Sequence, residues 1–88
     1  MSATIFLHDV FKVGSSFVVT GKVEEGILKI GMKLDLGKKV VSVTSIEQGR
    51  TQLKTAGAGN IIGFMLDAGP EDLNSLQKLP NSRVTLTE

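Results

Sequence analysis

Few residues in this 88-residue chain have the types and spacing that covalent chemistry needs. His8 is the only histidine. Asp9 follows it, but neighbours along a strand point to opposite faces, so the two do not form a proton-sharing couple. Ser15 and Ser16 have no base nearby in sequence and suit a turn. Glu24 and Glu25 precede Gly26 and read as a solvated hairpin end, not as an acid–base pair. The chain has no cysteine, which excludes disulfides and thiolate chemistry, and no histidine pair at metal-ligand spacing. The reading is therefore of a protein that is not an enzyme and uses neither cofactor nor metal.

Binding chemistry is better represented. Ala56-Gly57-Ala58-Gly59-Asn60 is glycine-rich enough to cradle a phosphate. No Gly-Lys-Ser/Thr closes it, however, and a strand pattern follows it where a helix would be needed. It is expected to be structural, and the chain is expected not to bind GTP. The net charge is only +1, but six cations stand between Lys29 and Lys54 against Asp35 and Glu47, a local surplus of +4. Lys38, Lys39, Arg50 and Lys54 could track the phosphates of RNA. The competing reading is that lysines flank turns because turns are solvated.

The elements that must position these residues are strands. Phe17 to Gly31 organises the chain. Val19, Gly21 and Val23 take one face, and Val18, Thr20, Lys22 and Glu24 the other. Glu25-Gly26 is read as a turn with Gly26 at positive φ. A first strand is expected over Thr4–Val13, where a bulge near His8-Asp9 reconciles two conflicting parities. Further strands are expected at Lys33–Leu36, Val40–Glu47, Thr51–Thr55 (on the rim), Ile61–Leu66 and Arg83–Thr87. Gln48-Gly49-Arg50 reads as a turn or bulge. Pro70 to Leu73 suits a single helical turn, with proline at its start and acids near its positive end.

The phrase Val-Val-Thr-Gly-Lys-Val-x-x-Gly-x-Leu-Lys-x-Gly, from Val18 to Gly31, resembles domain 2 of the translational GTPases. That domain is the β-barrel that follows the nucleotide-binding domain in elongation factor Tu. Asp9-Val10-Phe11-Lys12-Val13 and Ala58-Gly59-Asn60-Ile61-Ile62-Gly63 resemble two further phrases of the family, in the same order. The resemblance implies contact with RNA or the ribosome. Ile46-Glu47-Gln48-Gly49-Arg50 is similar to the Val-Glu-x-x-Arg phrase whose Glu and Arg lie near the pocket for the terminal adenosine of tRNA. By resemblance, Glu47 and Arg50 mark that surface here, against the plainer reading of an exposed pair at a strand end. The chain departs from the family in its shortened Gly14-Ser15-Ser16 turn and in Met32, where an acid is usual.

The expected fold is all-β: a small closed antiparallel barrel of six to seven strands, one domain spanning residues 1–88. The expected function is a non-catalytic translation-factor-like module binding RNA or the ribosome through Lys38, Lys39, Glu47, Arg50 and Lys54. The alternatives are a protein–protein interaction module on the same barrel, or an excised domain 2 of a larger translational GTPase. Met1 and the complete barrel pattern argue against an arbitrary fragment. No apolar run approaches a membrane span and no signal-peptide pattern opens the chain, so a cytoplasmic location without a membrane partner is expected. Oligomeric state is not readable from these residues.

Overall fold

A computed structural model describes residues 2–88. Six strands close into an antiparallel ring: β1 (Ser2–Val13), β8 (Arg83–Thr87), β3 (Lys33–Asp35), β4 (Val40–Gln48), β7 (Ile61–Leu66) and β2 (Ser16–Lys29), which returns to β1. Two short strands lie off the ring. β5 (Thr51–Leu53) pairs with β4, and β6 (Thr55–Gly57) pairs with the far end of β2. A closed ring leaves no edge along most of its length, which suits a chain too short to cover a sheet with helices. Inward-facing Ile5, Leu7, Phe17, Val19, Val23, Val43, Ile46, Phe64, Leu66 and Leu86 fill the interior.

Three register shifts make the closure possible, and each appears as a change of parity in the buried residues. In β1, Ile5 and Leu7 face inward; the pairing then slips between Leu7 and Asp9, and Val10 packs against the core. This is the bulge expected near His8-Asp9. In β4, Val41 and Val43 face inward, the register slips between Val43 and Ser45, and Ile46 takes over. In β2, Phe17, Val19, Gly21 and Val23 face inward, and Leu28 does so beyond a slip opposite Thr4 and Ile5.

That third shift corrects the expected turn at Glu25-Gly26. Gly26 does take positive φ, at 76°, but the strand runs through it to Lys29. The chain does not reverse here: Gly26 and Glu25 pair with Ala3 and Thr4 of β1, Ile27 to Lys29 go on to pair with β6, and the extra residue of the bulge is Glu24. The backbone of Ser2 also leaves no room for a side chain at Gly26. Gly21 is held as closely: a Cβ there would sit 2.5 Å from the Phe6 carbonyl oxygen.

Other bounds differ for equally local reasons. β1 begins at Ser2, because Ser2 and Ala3 pair with Thr87 and Leu86. The expected Thr51–Thr55 strand is two strands, since the chain bends at Lys54 and exchanges β4 for β2 as its partner. The single turn expected at Pro70 is a 3₁₀ turn, Pro70–Asp72, that continues into a short helix α1 (Leu73–Gln77). Leu76 explains the extension. It is fully buried, and a helical segment is what carries it onto the core.

Candidate nucleic-acid interface

The five residues singled out by sequence do not form one patch. Lys38 and Lys39 lie in the turn before β4, and Glu47 and Arg50 at its far end. Eight steps of about 3.3 Å separate Val40 from Gln48, roughly 26 Å, against principal extents of 30 × 25 × 23 Å for the molecule. Lys54 sits at the bend between β5 and β6, where its carbonyl accepts from the Ile30 N–H at 3.3 Å.

Lys39 has a structural occupation. Its Nζ lies 3.0 Å from Asp72 Oδ2 and 3.2 Å from Glu71 Oε1, tying the β3–β4 turn to the Pro70–Gln77 segment. Asp72 also accepts from the Gly69 N–H at 2.9 Å. The hydrogen bond from Lys39, then that from Gly69, hold the Asp72 carboxyl below its ordinary range. The same contacts, Asp72 first, push the Lys39 ammonium up.

The other end of β4 is different. Glu47 pairs across the sheet with Gly63 of β7, which pairs with Thr20 of β2, which pairs with Asp9 of β1. All four stand on the outer face, because Ile46, Phe64, Val19 and Gly21 face inward. Gly63 is a bare stretch of backbone between Glu47 and Thr20. A Cβ there would meet only ordinary contacts, the nearest being Val18 Cγ1 at 3.8 Å. One side of this row is apolar: Phe11, Val18 and Met65 lie in register, with Ser45 at the end. Phe11 is half exposed, and Ser45 Oγ is buried without a partner among the described residues. The other side carries Phe6, Lys22 and Ile61 in register. Arg83, opposite Phe6, lies over its ring at 5.5 Å and bonds Glu24 at 2.6 Å.

Arg50 stands in the two-residue turn that joins Gln48 to Thr51, directly beyond Glu47, with Gly49 at a φ of 62°. Gln48 Nε2 donates to Asn60 Oδ1 at 3.3 Å, and Asn60 Nδ2 donates to the Gly57 carbonyl at 3.1 Å, so this tip is tied to the loop before β7. That loop is occupied internally: the Gly59 N–H bonds the Val23 carbonyl and the Asn60 N–H bonds the Gly57 carbonyl. Those two N–H groups are therefore not free for a phosphate. The described residues enclose no pocket, so the surface is an open sheet face. No three of their histidines or acids come close enough together to hold a metal ion.

The model of elongation factor Tu domain 2 matches residues 16–75, more than half of the chain. The chain belongs to the elongation factor Tu domain 2 family. Elongation factor 1-alpha S of Porphyra purpurea is 38% identical over 71 residues, an overlap of 76% of this chain and 14% of that protein. The whole chain also superposes on 19% of the translation elongation factor SelB from Methanococcus maripaludis in its apo form, with a TM-score of 0.74 at 22% identity. The chain thus spans less than a fifth of each of these two relatives. Domain 2 of translational GTPases is a non-catalytic barrel, and this chain has that barrel. No helix among the described residues is long and apolar enough to cross a membrane.

Sequence reasoning missed Gly63 as the neighbour of Glu47, and Asp9, Lys22 and Ile61 as members of the same outer face. The alternation in β2 already put Thr20 and Lys22 on the outward face. Which strand lies beside them is a property of the ring order, and no local pattern carries it.

Proposed function

We propose that this barrel is a non-catalytic, translation-factor-like module that binds RNA or the ribosome through the outer face of β2, β7 and β4. The supporting observation is the row Asp9–Thr20–Gly63–Glu47, with Arg50 at its rim. A side-chain-free floor between apolar neighbours accepts a flat base. The two carboxylates accept hydrogen bonds from base N–H or ribose hydroxyl groups. Arg50 offers a phosphate a planar donor. In this reading the chain works without GTP and in the cytoplasm.

Cosedimentation with ribosomes at two salt concentrations tests this. Each phosphate neutralised on a single strand adds about −0.7 to the logarithmic salt slope. Two or three contacts therefore weaken binding about fivefold to tenfold between 50 and 150 mM salt. Loss of binding at both concentrations, or binding indifferent to salt, overturns the proposal. A protein partner is the second reading, favoured by Phe11 and Val13 standing half exposed on the β1–β2 hairpin. It expects a complex that survives nuclease treatment and salt.

A further inference from the structure

We infer that Lys22, with Arg50, is the phosphate-holding pair of this surface, and that Lys38 and Lys39 are not part of it. The inference rests on the RNA reading above and says which side chains carry it.

Glu47 pairs with Gly63, so two positions further along β7, at Ile61, the neighbouring place on β4 is the Gly49-Arg50 tip. Ile61 pairs on its other side with Lys22. Lys22 and the tip that carries Arg50 therefore bracket Ile61, one row below Thr20, Gly63 and Glu47. They stand two strands apart, roughly 10 Å across the sheet. Both side chains are long enough to converge over one nucleotide. Ile61, at 61% relative exposure, is the most exposed large hydrophobic residue described and offers apolar contact between them.

Charge points to the same pair. Lys39 is spent on Glu71 and Asp72, and Arg83 on Glu24. Lys22 and Arg50 make no ion pair among the described residues. An unpaired cation exchanges water and counterions for phosphate without first giving up a carboxylate. Lys38 too makes no ion pair among the described residues, but it lies at the opposite end of β4. The carboxylates select the ligand. An acidic peptide would satisfy Lys22 and Arg50 but would meet Asp9 and Glu47 along the adjacent row. A nucleotide presents phosphate to the cations and N–H or O–H donors to the acids.

Binding of a fluorescent twelve-nucleotide single-stranded RNA of mixed sequence, followed by anisotropy between 50 and 150 mM salt, reads the pair directly. The unaltered protein should show a slope of about −1.4, an approximately fivefold loss over that range. Lys22→Gln and Arg50→Gln should each halve the slope, and the double variant should bring it near zero. Lys38→Gln should leave it unchanged. Thermal unfolding of each variant checks that the barrel is intact, which the exposure of these residues leads us to expect. An unchanged slope in Lys22→Gln, or a halved slope in Lys38→Gln, overturns the pair while leaving the RNA reading standing. No binding by the unaltered protein at 50 mM overturns both. A nuclease-resistant complex weakened by Lys22→Gln would show that the surface takes a protein.

Discussion

The two ends of β4 carry similar charges and do different work. At the Val40 end, Lys39 meets Glu71 and Asp72 and fastens the 70–77 segment to the barrel, above fully buried Leu76. At the Gln48 end, Arg50 and nearby Lys22 stand without carboxylate partners among the described residues, beside the bare backbone of Gly63. One end is a fastening and the other is a surface. The difference teaches that a local charge surplus says little until the partners of each charge are known. A lysine whose ammonium is committed within the fold is no longer an inexpensive phosphate contact.

Three substitutions test the contrast, in falling order of effect on stability. Leu76→Ala removes a side chain that the fastened segment presses against the core. Stability should fall by about 2–5 kcal/mol, the range for buried leucines, as measured by urea unfolding. A loss below about 1 kcal/mol would mean that the 70–77 segment lies on the barrel without being part of its core.

Lys39→Met comes second and has a pH signature. The folded-state pKa of Asp72 is depressed, so its ionised form stabilises the fold above the ordinary carboxylate range. That contribution is lost as pH falls through the depressed value. The raised pKa of Lys39 has the opposite consequence: its contribution holds below the ordinary ammonium range and is lost only in strong alkali. The melting temperature of Lys39→Met should therefore lie below that of the unaltered protein near pH 7. The gap should close as pH falls through the depressed range, where the Asp72 carboxyl becomes protonated in both proteins. A gap that stays constant with pH would assign the effect to lysine packing and not to its charge.

Gly63→Val is expected to have the smallest effect on the fold, within about 0.5 kcal/mol, because its Cβ meets only ordinary contacts and the outer strand face leaves its methyls toward solvent. RNA binding should nevertheless be lost, since the floor between Thr20 and Glu47 would be filled. Stability and binding would then separate at this end of β4, whereas Lys39→Met should change stability and leave RNA affinity alone. Full RNA affinity in Gly63→Val would remove Gly63 from the interface.

Much of the barrel was legible in the order of residues, because strands announce themselves by alternation and turns by glycine. The shared face of Val19, Gly21 and Val23 in β2, the strand at Ile61–Leu66, the bulge at His8-Asp9, the positive φ of Gly26 and the closing strand at Arg83–Thr87 all follow from short-range pattern. The same information misled at Glu25-Gly26. Positive φ serves an extended strand beside a bulge as well as a turn, and only the pairing of Gly26 with β1 and of Ile27 to Lys29 with β6 distinguishes them. It was silent at Thr44, where β4 changes parity without a glycine to mark it.

For the candidate site, sequence determined which residues are charged and which glycines lack side chains. It could bring Glu47 and Arg50 together, because three positions across a tight turn are near in any fold. It could not bring Lys22 to Ile61, or Glu47 to Gly63, nor commit Lys39 to residues more than thirty positions away. Those relations belong to strand order and ring closure. The physical reason is that side-chain alternation is a property of each strand alone, whereas adjacency in a closed sheet is set by packing all the strands around one core.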